Sequence, residues 1–337
     1  MTKTNLEMMH GATAIHRKVS VTTSSRLHMG FFDLNGNLGR RFGSIGLSLS
    51  APSTSLVVTP ADNISTSGSI SAPATFQRVS DIAEQIMQAL SLTGGVHIEL
   101  AQTIPEHSGL GSGTQLSLAI GMGISQLYGL DLSVHDIAVL TKRGTRSGIG
   151  LGTFAQGGLI VDGGRSPKSA IPPVIAHADF PEDWPILLIF DESHQGVHGA
   201  QEIAAFRDLP VFPADSAALL CRQVLMQALP AIAERDLNAF GTAIQALQAM
   251  TGDYFAPAQG GARYTSPLVA KVLNRLHNNG VHCFGQSSWG PTGFAVFESQ
   301  TQAEMQMQQL NNTLGDEPKL RWVLTKANNQ PSQVAVN

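Results

Sequence analysis

A glycine-rich segment at residues 109–113, Gly-Leu-Gly-Ser-Gly, limits the possible fold of this chain more strongly than any other feature. It follows residues 96–102, where apolar and polar residues alternate as in a half-buried strand. It precedes a segment whose apolar residues recur at helical spacing, namely Leu116, Ile120, Ile124 and Leu127. This order predicts an α/β domain in which a helix begins directly at a glycine-rich turn.

The same loop has the composition of an anion-binding site. Three glycines in five residues allow backbone N–H groups to converge, and the start of a helix adds unpaired N–H groups with partial positive charge. The loop lacks the Gly-Lys-Ser/Thr end of a P-loop and the G-x-G-x-x-G spacing of a dinucleotide fold. A set of tight turns is the alternative. We predict that the loop holds a phosphate through Ser108, Gly109, Leu110, Gly111, Ser112, Gly113 and Thr114.

The order of the predicted elements divides the chain into two domains. Residues 1–166 form an N-terminal α/β domain, in which residues 153–161 predict a strand. A proline-rich segment at 167–185 is predicted to be a linker. Setting aside inserted helices, the elements of residues 186–337 follow the order β-α-β-β-α-β, which is typical of a ferredoxin-like split βαβ domain. The predicted fold class is therefore α+β.

Two helices carry clear start signals. Ser133 followed by Asp136 three residues later predicts a capped helix. Ser266-Pro267 predicts a second helix start, and Gly280 predicts the end of that helix.

The composition is that of a globular protein and disfavours some classes of partner. Hydrophobic residues make up 42% of the 337 residues, and a net charge of −4 gives no basic field for nucleic acid or an acidic membrane. The longest aliphatic run, at 185–190, is too short to cross a bilayer, and the first 30 residues lack the apolar region of a secretory signal. Cys221 and Cys283 are predicted to be reduced thiols, and the protein is predicted to be cytoplasmic.

Two glycine-rich motifs resemble those of the GHMP kinase superfamily. Residues 105–113 are similar to its second motif, and residues 285–293, Gly-Gln-Ser-Ser-Trp-Gly-Pro-Thr-Gly, are similar to its third. Within that superfamily, three stretches look most similar to the β-ribofuranosylaminobenzene 5′-phosphate synthase family, at residues 26–34, 143–150 and 154–158. The resemblance implies a GHMP-kinase-like two-domain fold with an N-terminal α/β domain and a C-terminal ferredoxin-like domain.

The resemblance implies a reaction as well as a fold. That family condenses phosphoribosyl pyrophosphate with 4-aminobenzoate, releases pyrophosphate and carbon dioxide, and joins ring to sugar in tetrahydromethanopterin biosynthesis. Magnesium is implied as a cofactor and ATP is not. The two small molecules are therefore the expected partners, and a homodimer is expected from the chain size and exposed sheet edges. The sequence leaves open whether 4-hydroxybenzoate replaces 4-aminobenzoate.

Three residues of the first similar stretch are candidates for catalysis. Arg26 would meet a phosphate or a carboxylate, and His28 would donate or accept a proton. Asp33 would hold magnesium or face the positive charge that develops at the anomeric carbon. His28 could instead be structural, and Asp33 could cap the following turn. Asp33 and Glu202 are the candidate magnesium ligands.

Further candidates for substrate binding lie in the later motifs. Arg143 and Arg146 suit phosphate oxygens because a guanidinium donates paired hydrogen bonds, although Arg143 could simply complement its helix end. Which arginine meets the 5′-phosphate, and which the pyrophosphate or carboxylate, is left open. Trp289 could stack on the aromatic acid or be buried against its own loop. The predicted set is Arg143, Arg146, Ser147, Gly148, Gln286, Ser287, Ser288 and Trp289.

Two departures from the kinase pattern bear on the choice of activity. Ser112 is followed by Gly113-Thr114-Gln115, where the kinases usually have a second serine and small residues. Gln156 and Gly157 stand in the region where many superfamily members carry an aspartate base. Both features disfavour phosphoryl transfer to a hydroxyl. An ATP-dependent small-molecule kinase of the homoserine-kinase type is nevertheless the main alternative, and a non-catalytic phosphometabolite-binding protein is the second.

Overall fold

The computed structural model describes residues 14–69, 73–194, 196, 199–315 and 317–337, with the backbone alone at 199–203. Its strands, in chain order, are β1 (Val19–Asp33), β2 (Gly43–Ala61), β3 (Ser65–Gly68), β4 (Gly95–Gln102), β5 (Leu159–Asp162), β6 (Val174–Ala178), β7 (Ile186–Asp191), β8 (Cys283–Gln286), β9 (Gly293–Val296), β10 (Leu320–Thr325) and β11 (Gln333–Val336). Its helices are α1 (Pro73–Ala89), α2 (Ser112–Leu127), α3 (Val134–Leu140), α4 (Ile149–Gln156), α5 (Gly199–Asp208), α6 (Ala214–Gln223), α7 (Leu229–Glu234), α8 (Leu237–Phe255), α9 (Pro267–Asn278) and α10 (Gln300–Leu314).

The first sheet has seven strands among the described residues. Its order is β11-β1-β2-β4-β3, with β5 paired to β2 and β6 paired to β5. The apolar residues that alternate along β4 are buried, and they pack with α1 and α2 in one hydrophobic cluster. Burial of one face of the sheet by helices explains the alternating pattern at 96–102. The predicted strand and the predicted helix on either side of the glycine-rich loop are both present.

The second sheet has the order β10-β7-β9-β8, with antiparallel pairing throughout. In chain order, β7, α9, β8, β9, α10 and β10 reproduce the β-α-β-β-α-β pattern, and α5 to α8 are inserted after β7. The predicted ferredoxin-like split βαβ domain is therefore confirmed. Both helix starts are present as well, since Ser133 and Asp136 form a capping box and Ser266 Oγ accepts from the N–H of Val269.

Two stretches differ from the sequence-based prediction. Strand β6 lies inside the segment 167–185 that was predicted to be a linker, and it extends the first sheet beyond β5. The predicted strand at 153–161 is divided, because α4 continues to Gln156 before Gly157 turns the chain into β5. Phe154 of α4 is buried in the cluster beneath α2, so helical packing prevails over the strand-like composition of this segment.

The two domains share a hydrophobic cluster. Helix α8 packs against both β1 and β8, and its Leu247 is buried together with Leu27 and Met29 of β1. The helical stretch Ala214–Glu234, which includes the π-helical turn Val224–Ala228, is the only one in the described chain long and apolar enough to span a membrane. Leu220 and Val224 on its inner side are buried in the same cluster.

The last residues return to the first domain, although they fall within the segment 186–337 predicted as the second. Strand β11 pairs antiparallel with β1, from Thr22↔Gln333 to Val19↔Val336. Just before it, the Asn328 N–H donates to Ser48 O and the Gly158 N–H donates to Asn328 O. The pairing with β11 completes a β1 edge that would otherwise be unpaired.

Candidate functional site

The glycine-rich loop of the first domain touches the third-motif loop of the second. Ser287 Oγ donates to Gly109 O at 2.8 Å, and it accepts from the backbone N–H of His28 at 3.1 Å. The N–H of Ser288 donates to His28 O at 3.1 Å. Strand β1 and the two loops are thus joined by hydrogen bonds, which sets the positions of any groups that face the space between them.

Backbone atoms of the two loops also approach each other closely. A Cβ atom on Gly290 would overlap Ser108 O and the Cα of Gly109. A Cβ atom on Gly109, whose φ is +82°, would overlap Ser287 O. These glycines are therefore required for the close approach of the two domains, in addition to any contact they make with a ligand.

Three arginines surround the first turn of α2. Arg26, Arg78 and Arg143 line an open cleft together with Gly111, Ser112, Gly113, Thr114, Ser288, Trp289 and Gly290. Gly111, with φ at +80°, is the N-cap residue of α2, and within the described chain no side chain caps this helix. The cleft therefore combines three positive charges with the positive end of a helix dipole, an arrangement that binds anions.

Two of the cleft arginines have described partners within the protein. Arg78 Nη1 lies 3.2 Å from Glu106 Oε1, and Arg26 Nη1 donates to Gly109 O at 2.7 Å. Burial, and secondarily the neighbouring Arg78, lower the pKa of Arg143. A phosphate or pyrophosphate in the cleft would offset this repulsion between guanidinium groups.

Arg78 is a candidate that the sequence analysis missed. It lies on α1, and a Cβ atom on Gly113 would overlap Arg78 Nη2 and lie 3.5 Å from Arg143 Nη1. The glycine at 113 therefore leaves room for a guanidinium where the kinase pattern has a serine. One arginine on the polar side of a distant helix gives no local sequence signal. Gly113, in contrast, is recognisable in the sequence as a departure from the kinase motif.

An aromatic pocket adjoins the cleft. Phe31, Phe206, Phe255 and Trp289 form its walls, and it also contains His28, Gly30, Gln248, Arg263, Gln286 and Ser288. The rings of Phe206 and Trp289 stack at 4.8 Å, and Phe255 meets Trp289 edge-on at 4.6 Å. Ser288 and Trp289 line both spaces, so an aromatic ligand and an anion would bind next to each other. The three phenylalanines were not predicted as site residues.

His28 lies at the pocket and is almost completely buried, with 2% of its surface exposed. Neither ring nitrogen has a hydrogen-bond partner among the residues described. Burial, together with the positive charge of Arg26, lowers the pKa of His28 to about 3. The imidazole is therefore neutral near pH 7 and able to accept one hydrogen bond and donate another.

Arg146 contacts one of the aromatic side chains that line the pocket. Its guanidinium carbon is 5.2 Å from the ring centroid of Phe206, a cation–π contact. It is absent from the lining of the cleft that holds the other three arginines. The structure thus places Arg143 and Arg146 at different positions, although they are three residues apart in sequence.

Several predicted binding residues have hydrogen-bond partners within the protein. Ser147 Oγ and the N–H of Gly148 donate to the Asp162 carboxylate at 3.2 and 2.9 Å, which holds their loop against β5. Burial raises the pKa of Asp162 to about 6. Gln286 lines the pocket, but its amide is bonded to Gln259, Thr265 and Ser288. Two loop residues also face inward, since Leu110 is fully buried and Ser108 Oγ donates to Pro105 O.

Asp33, one of the two candidate magnesium ligands, is engaged in its own turn. Asp33 Oδ1 accepts from the N–H groups of Asn35 and Gly36, so this carboxylate caps a turn, the alternative raised from the sequence. Within the described ranges there is no group of three or more His, Cys, Asp or Glu side chains that could hold a metal ion. The side chain of Glu202, the other candidate ligand, lies outside the described residues.

Comparisons with known proteins agree with this geometry. The family models named GHMP kinases N terminal domain and GHMP kinases C terminal match residues 77–157 and 228–316. The homoserine kinase of Cytophaga hutchinsonii superposes with a TM-score of 0.68 at 18% identity, covering 96% of this chain and 99% of that one. At that identity the likeness concerns the fold alone. The chain thus has the two-domain fold of the GHMP kinase superfamily, as predicted.

Curated relatives define the branch of the superfamily. The β-ribofuranosylphenol 5′-phosphate synthase of Methanocaldococcus jannaschii is 35% identical over 300 residues, covering 82% of this chain and 88% of the relative. The synthase of the same name from Archaeoglobus fulgidus is 33% identical over 327 residues, covering 93% and 98%. This chain belongs to the β-ribofuranosylphenol 5′-phosphate synthase family, whose named members are enzymes. The synthase family predicted from the motifs is therefore confirmed.

Proposed function

We propose that this chain is a pentosyltransferase that condenses phosphoribosyl pyrophosphate with 4-aminobenzoate. Carbon dioxide and pyrophosphate are released, and 4-(β-D-ribofuranosyl)aminobenzene 5′-phosphate forms in tetrahydromethanopterin biosynthesis. The observation that carries the proposal is the adjacency of an arginine-rich cleft and an aromatic pocket, which share Ser288 and Trp289. One substrate carries two anionic groups and the other is an aromatic acid, so the two spaces match the two substrates.

The cleft supplies what the leaving group needs. As the bond from the anomeric carbon to pyrophosphate breaks, negative charge accumulates on the departing oxygens and positive charge on the sugar carbon. The guanidinium groups of Arg26, Arg78 and Arg143 and the start of α2 are already placed around the cleft, so they stabilise the departing charge without reorganisation. No catalytic base for a sugar hydroxyl is needed, which agrees with the absence of an aspartate at Gln156 and Gly157.

The pocket supplies what the acceptor needs. Aromatic walls bury a flat ring and keep water from the reactive sugar carbon. The ring attacks that carbon through its carboxylate-bearing position, and loss of carbon dioxide then restores the aromatic ring. The relatives are named for a phenol product, so 4-hydroxybenzoate is a second acceptor to be compared with 4-aminobenzoate.

The experiment that tests the proposal measures carbon dioxide release from carboxyl-labelled 4-aminobenzoate and 4-hydroxybenzoate. Magnesium is included because the family resemblance implies it. Release that requires phosphoribosyl pyrophosphate, and that does not occur with ATP in its place, is the expected result. A folded protein that releases no label and instead phosphorylates a small alcohol with ATP would show that the kinase alternative is right. The homodimer and the cytoplasmic location stay predictions.

A further inference from the structure

The aromatic pocket contains buried polar groups that no described residue satisfies. Both ring nitrogens of His28 and Nε1 of Trp289 are shielded from solvent and lack a hydrogen-bond partner within the described residues. Buried polar atoms of native proteins are nearly always hydrogen-bonded, because an unsatisfied buried group is destabilising. Both residues line the aromatic pocket, so a ligand that enters it is a source of the missing partners.

The charge state of His28 selects the kind of ligand group that it meets. The low pKa that burial and Arg26 impose keeps the imidazole neutral, so it does not attract a carboxylate as a cation would. A neutral imidazole nitrogen accepts a hydrogen bond from an uncharged N–H or O–H group. An aromatic acceptor with an amino or hydroxyl group opposite its carboxylate offers such a donor.

The spacing along β1 orients the acceptor. Arg26 and His28 are two residues apart in a regularly paired part of this strand, where they are opposite Ser48 and Gly46. They therefore point to the same side of the sheet, about 7 Å apart along the strand. Arg26 lines the cleft and His28 lines the pocket. A ring whose carboxylate-bearing carbon faces the cleft near Arg26 places its opposite substituent near His28.

We propose that His28 recognises the para substituent of the aromatic acceptor by accepting a hydrogen bond from its amino or hydroxyl group. This inference rests on the proposed function, and it assigns the acceptor specificity of that reaction to one residue. The same hydrogen bond stabilises the positive charge that appears on the substituent when the ring attacks the anomeric carbon.

The proposed condensation conserves electrons and protons. The ring carbon that carries the carboxylate forms the bond to the anomeric carbon, and the bond from that carbon to pyrophosphate breaks. The electron pair of the carboxylate bond returns to the ring as carbon dioxide leaves. A proton shared by His28 and the para substituent stays with the substituent in the product, so neither an external base nor an oxidant is required.

The test compares the binding of 4-aminobenzoate with that of benzoate, which lacks the para group, by titration calorimetry. The wild-type protein is expected to bind 4-aminobenzoate at least about tenfold more tightly, because benzoate leaves the imidazole without a partner. In His28→Leu this preference should disappear. In His28→Gln, which retains an amide acceptor, it should return in part. His135→Leu, the same change at an exposed position on α3, should behave like the wild type.

Two further measurements separate the possible failures. Phosphoribosyl pyrophosphate affinity should be equal in wild type, His28→Gln and His135→Leu, which checks that the cleft is intact. The role of His28 is overturned if a His28 variant binds phosphoribosyl pyrophosphate normally and keeps the full preference for 4-aminobenzoate over benzoate. It is also overturned if such a variant loses affinity for 4-aminobenzoate and for benzoate to the same extent. A wild-type protein that binds neither aromatic acid and releases no carbon dioxide overturns the proposed function itself.

Discussion

At the scale of single residues, the site is dominated by like charges held close together. Arg26, Arg78 and Arg143 share one cleft with Glu106 as the carboxylate paired to Arg78. The lowered pKa of Arg143 reflects burial first and then the charge of Arg78. Such a cluster is maintained at some expense of stability, and an anion that neutralises it is bound more strongly for that reason.

The first prediction concerns Arg78, which was not apparent from the sequence. Arg78→Ala should raise the KM for phosphoribosyl pyrophosphate about tenfold or more, because one charge-assisted hydrogen bond contributes about 1.5–3 kcal/mol. The KM for the aromatic acid should change much less. Arg235→Ala, which removes an exposed arginine paired with Asp183, is the control and should leave both values unaltered. An unchanged KM for phosphoribosyl pyrophosphate in Arg78→Ala would place this residue outside the substrate site.

A second prediction concerns the glycine beside that arginine. In Gly113→Ala the added methyl overlaps the end of the Arg78 side chain, which is flexible, so the fold should persist while the guanidinium is displaced. The KM for phosphoribosyl pyrophosphate should rise severalfold. In the Arg78→Ala background the same change should have little further effect, since the displaced group is gone. Fully additive effects in this double-mutant cycle would contradict the steric explanation.

At the scale of elements, the loop between α3 and α4 is held in place by a buried carboxylate. Ser147 and Gly148 were predicted to bind substrate, but their donors are directed to Asp162 at the end of β5. The N–H of Gly164 and the hydroxyl of Ser44 also donate to this carboxylate. Asp162 thus fixes the loop that carries Arg143 and Arg146 toward the site.

The third prediction follows from the pKa of Asp162, which burial raises from 3.8 to about 6. The folded protein holds this proton more tightly than the unfolded chain, so the contribution to stability is complete below about pH 4 and is lost as the pH rises through 6. Asp162→Asn lacks the titration and should lose less stability than wild type between pH 4 and 7. The free energy of unfolding should fall with pH more steeply in wild type than in Asp162→Asn, by at most about 1.4 kcal/mol per pH unit.

Denaturant unfolding at four pH values across that range measures this difference. Asp183→Asn is the matched control, because the carboxylate of Asp183 is exposed and its pKa is lowered by hydrogen bonding to Arg235. Asp183→Asn should therefore gain no stability relative to wild type as the pH rises. Parallel stability curves for wild type and Asp162→Asn would mean that the buried carboxyl keeps its ordinary pKa.

The elements also show which sequence signals are sufficient to predict a helix or a strand. The capping box at Ser133 and the Ser266-Pro267 start were predictable because a helix start depends on local side-chain hydrogen bonds. The helix α4 was mistaken for a strand because a short apolar segment does not reveal its period. The motif at residues 26–34 made Arg26 and His28 candidates, whereas Arg78 and Phe206 line the candidate site from elements that are distant in sequence.

At the scale of the whole molecule, the site exists only because the two domains meet. The cleft draws on α1, α2 and β1 from the first domain and on Ser288 to Gly290 from the second. The meeting surface is backbone against backbone at Gly109 and Gly290. A displacement of one loop therefore alters the relative position of sugar phosphate and aromatic ring.

The fourth prediction tests this dependence. In Gly290→Ala the new Cβ overlaps Ser108 O and the backbone of Gly109, neither of which moves without shifting a loop. Stability should fall by about 1–3 kcal/mol, as in other overpacked sites. The kcat/KM should fall by about tenfold or more, because small misplacements of reacting groups are costly in rate.

Gly163→Ala is the matched control for that change. Its Cβ would meet the exposed side chain of Ile175 at 3.0 Å, so a small rotation of that side chain relieves the contact. Melting temperature and steady-state kinetics of both variants give the comparison. Equal effects of Gly290→Ala and Gly163→Ala on melting temperature and kcat/KM would contradict the dependence of the site on the contact between Gly109 and Gly290.

Strand β11 has a consequence for how the protein is made. It occupies residues 333–336 and pairs with β1 at residues 19–22, near the other end of the chain. During synthesis the first domain therefore leaves the ribosome with one edge of its sheet open, and that edge is closed only after the second domain has been translated. Independent folding of the N-terminal domain, which is common in two-domain proteins, is incomplete here. Until β11 has been translated, the exposed edge of β1 is a site at which a chaperone or a second nascent chain competes with β11.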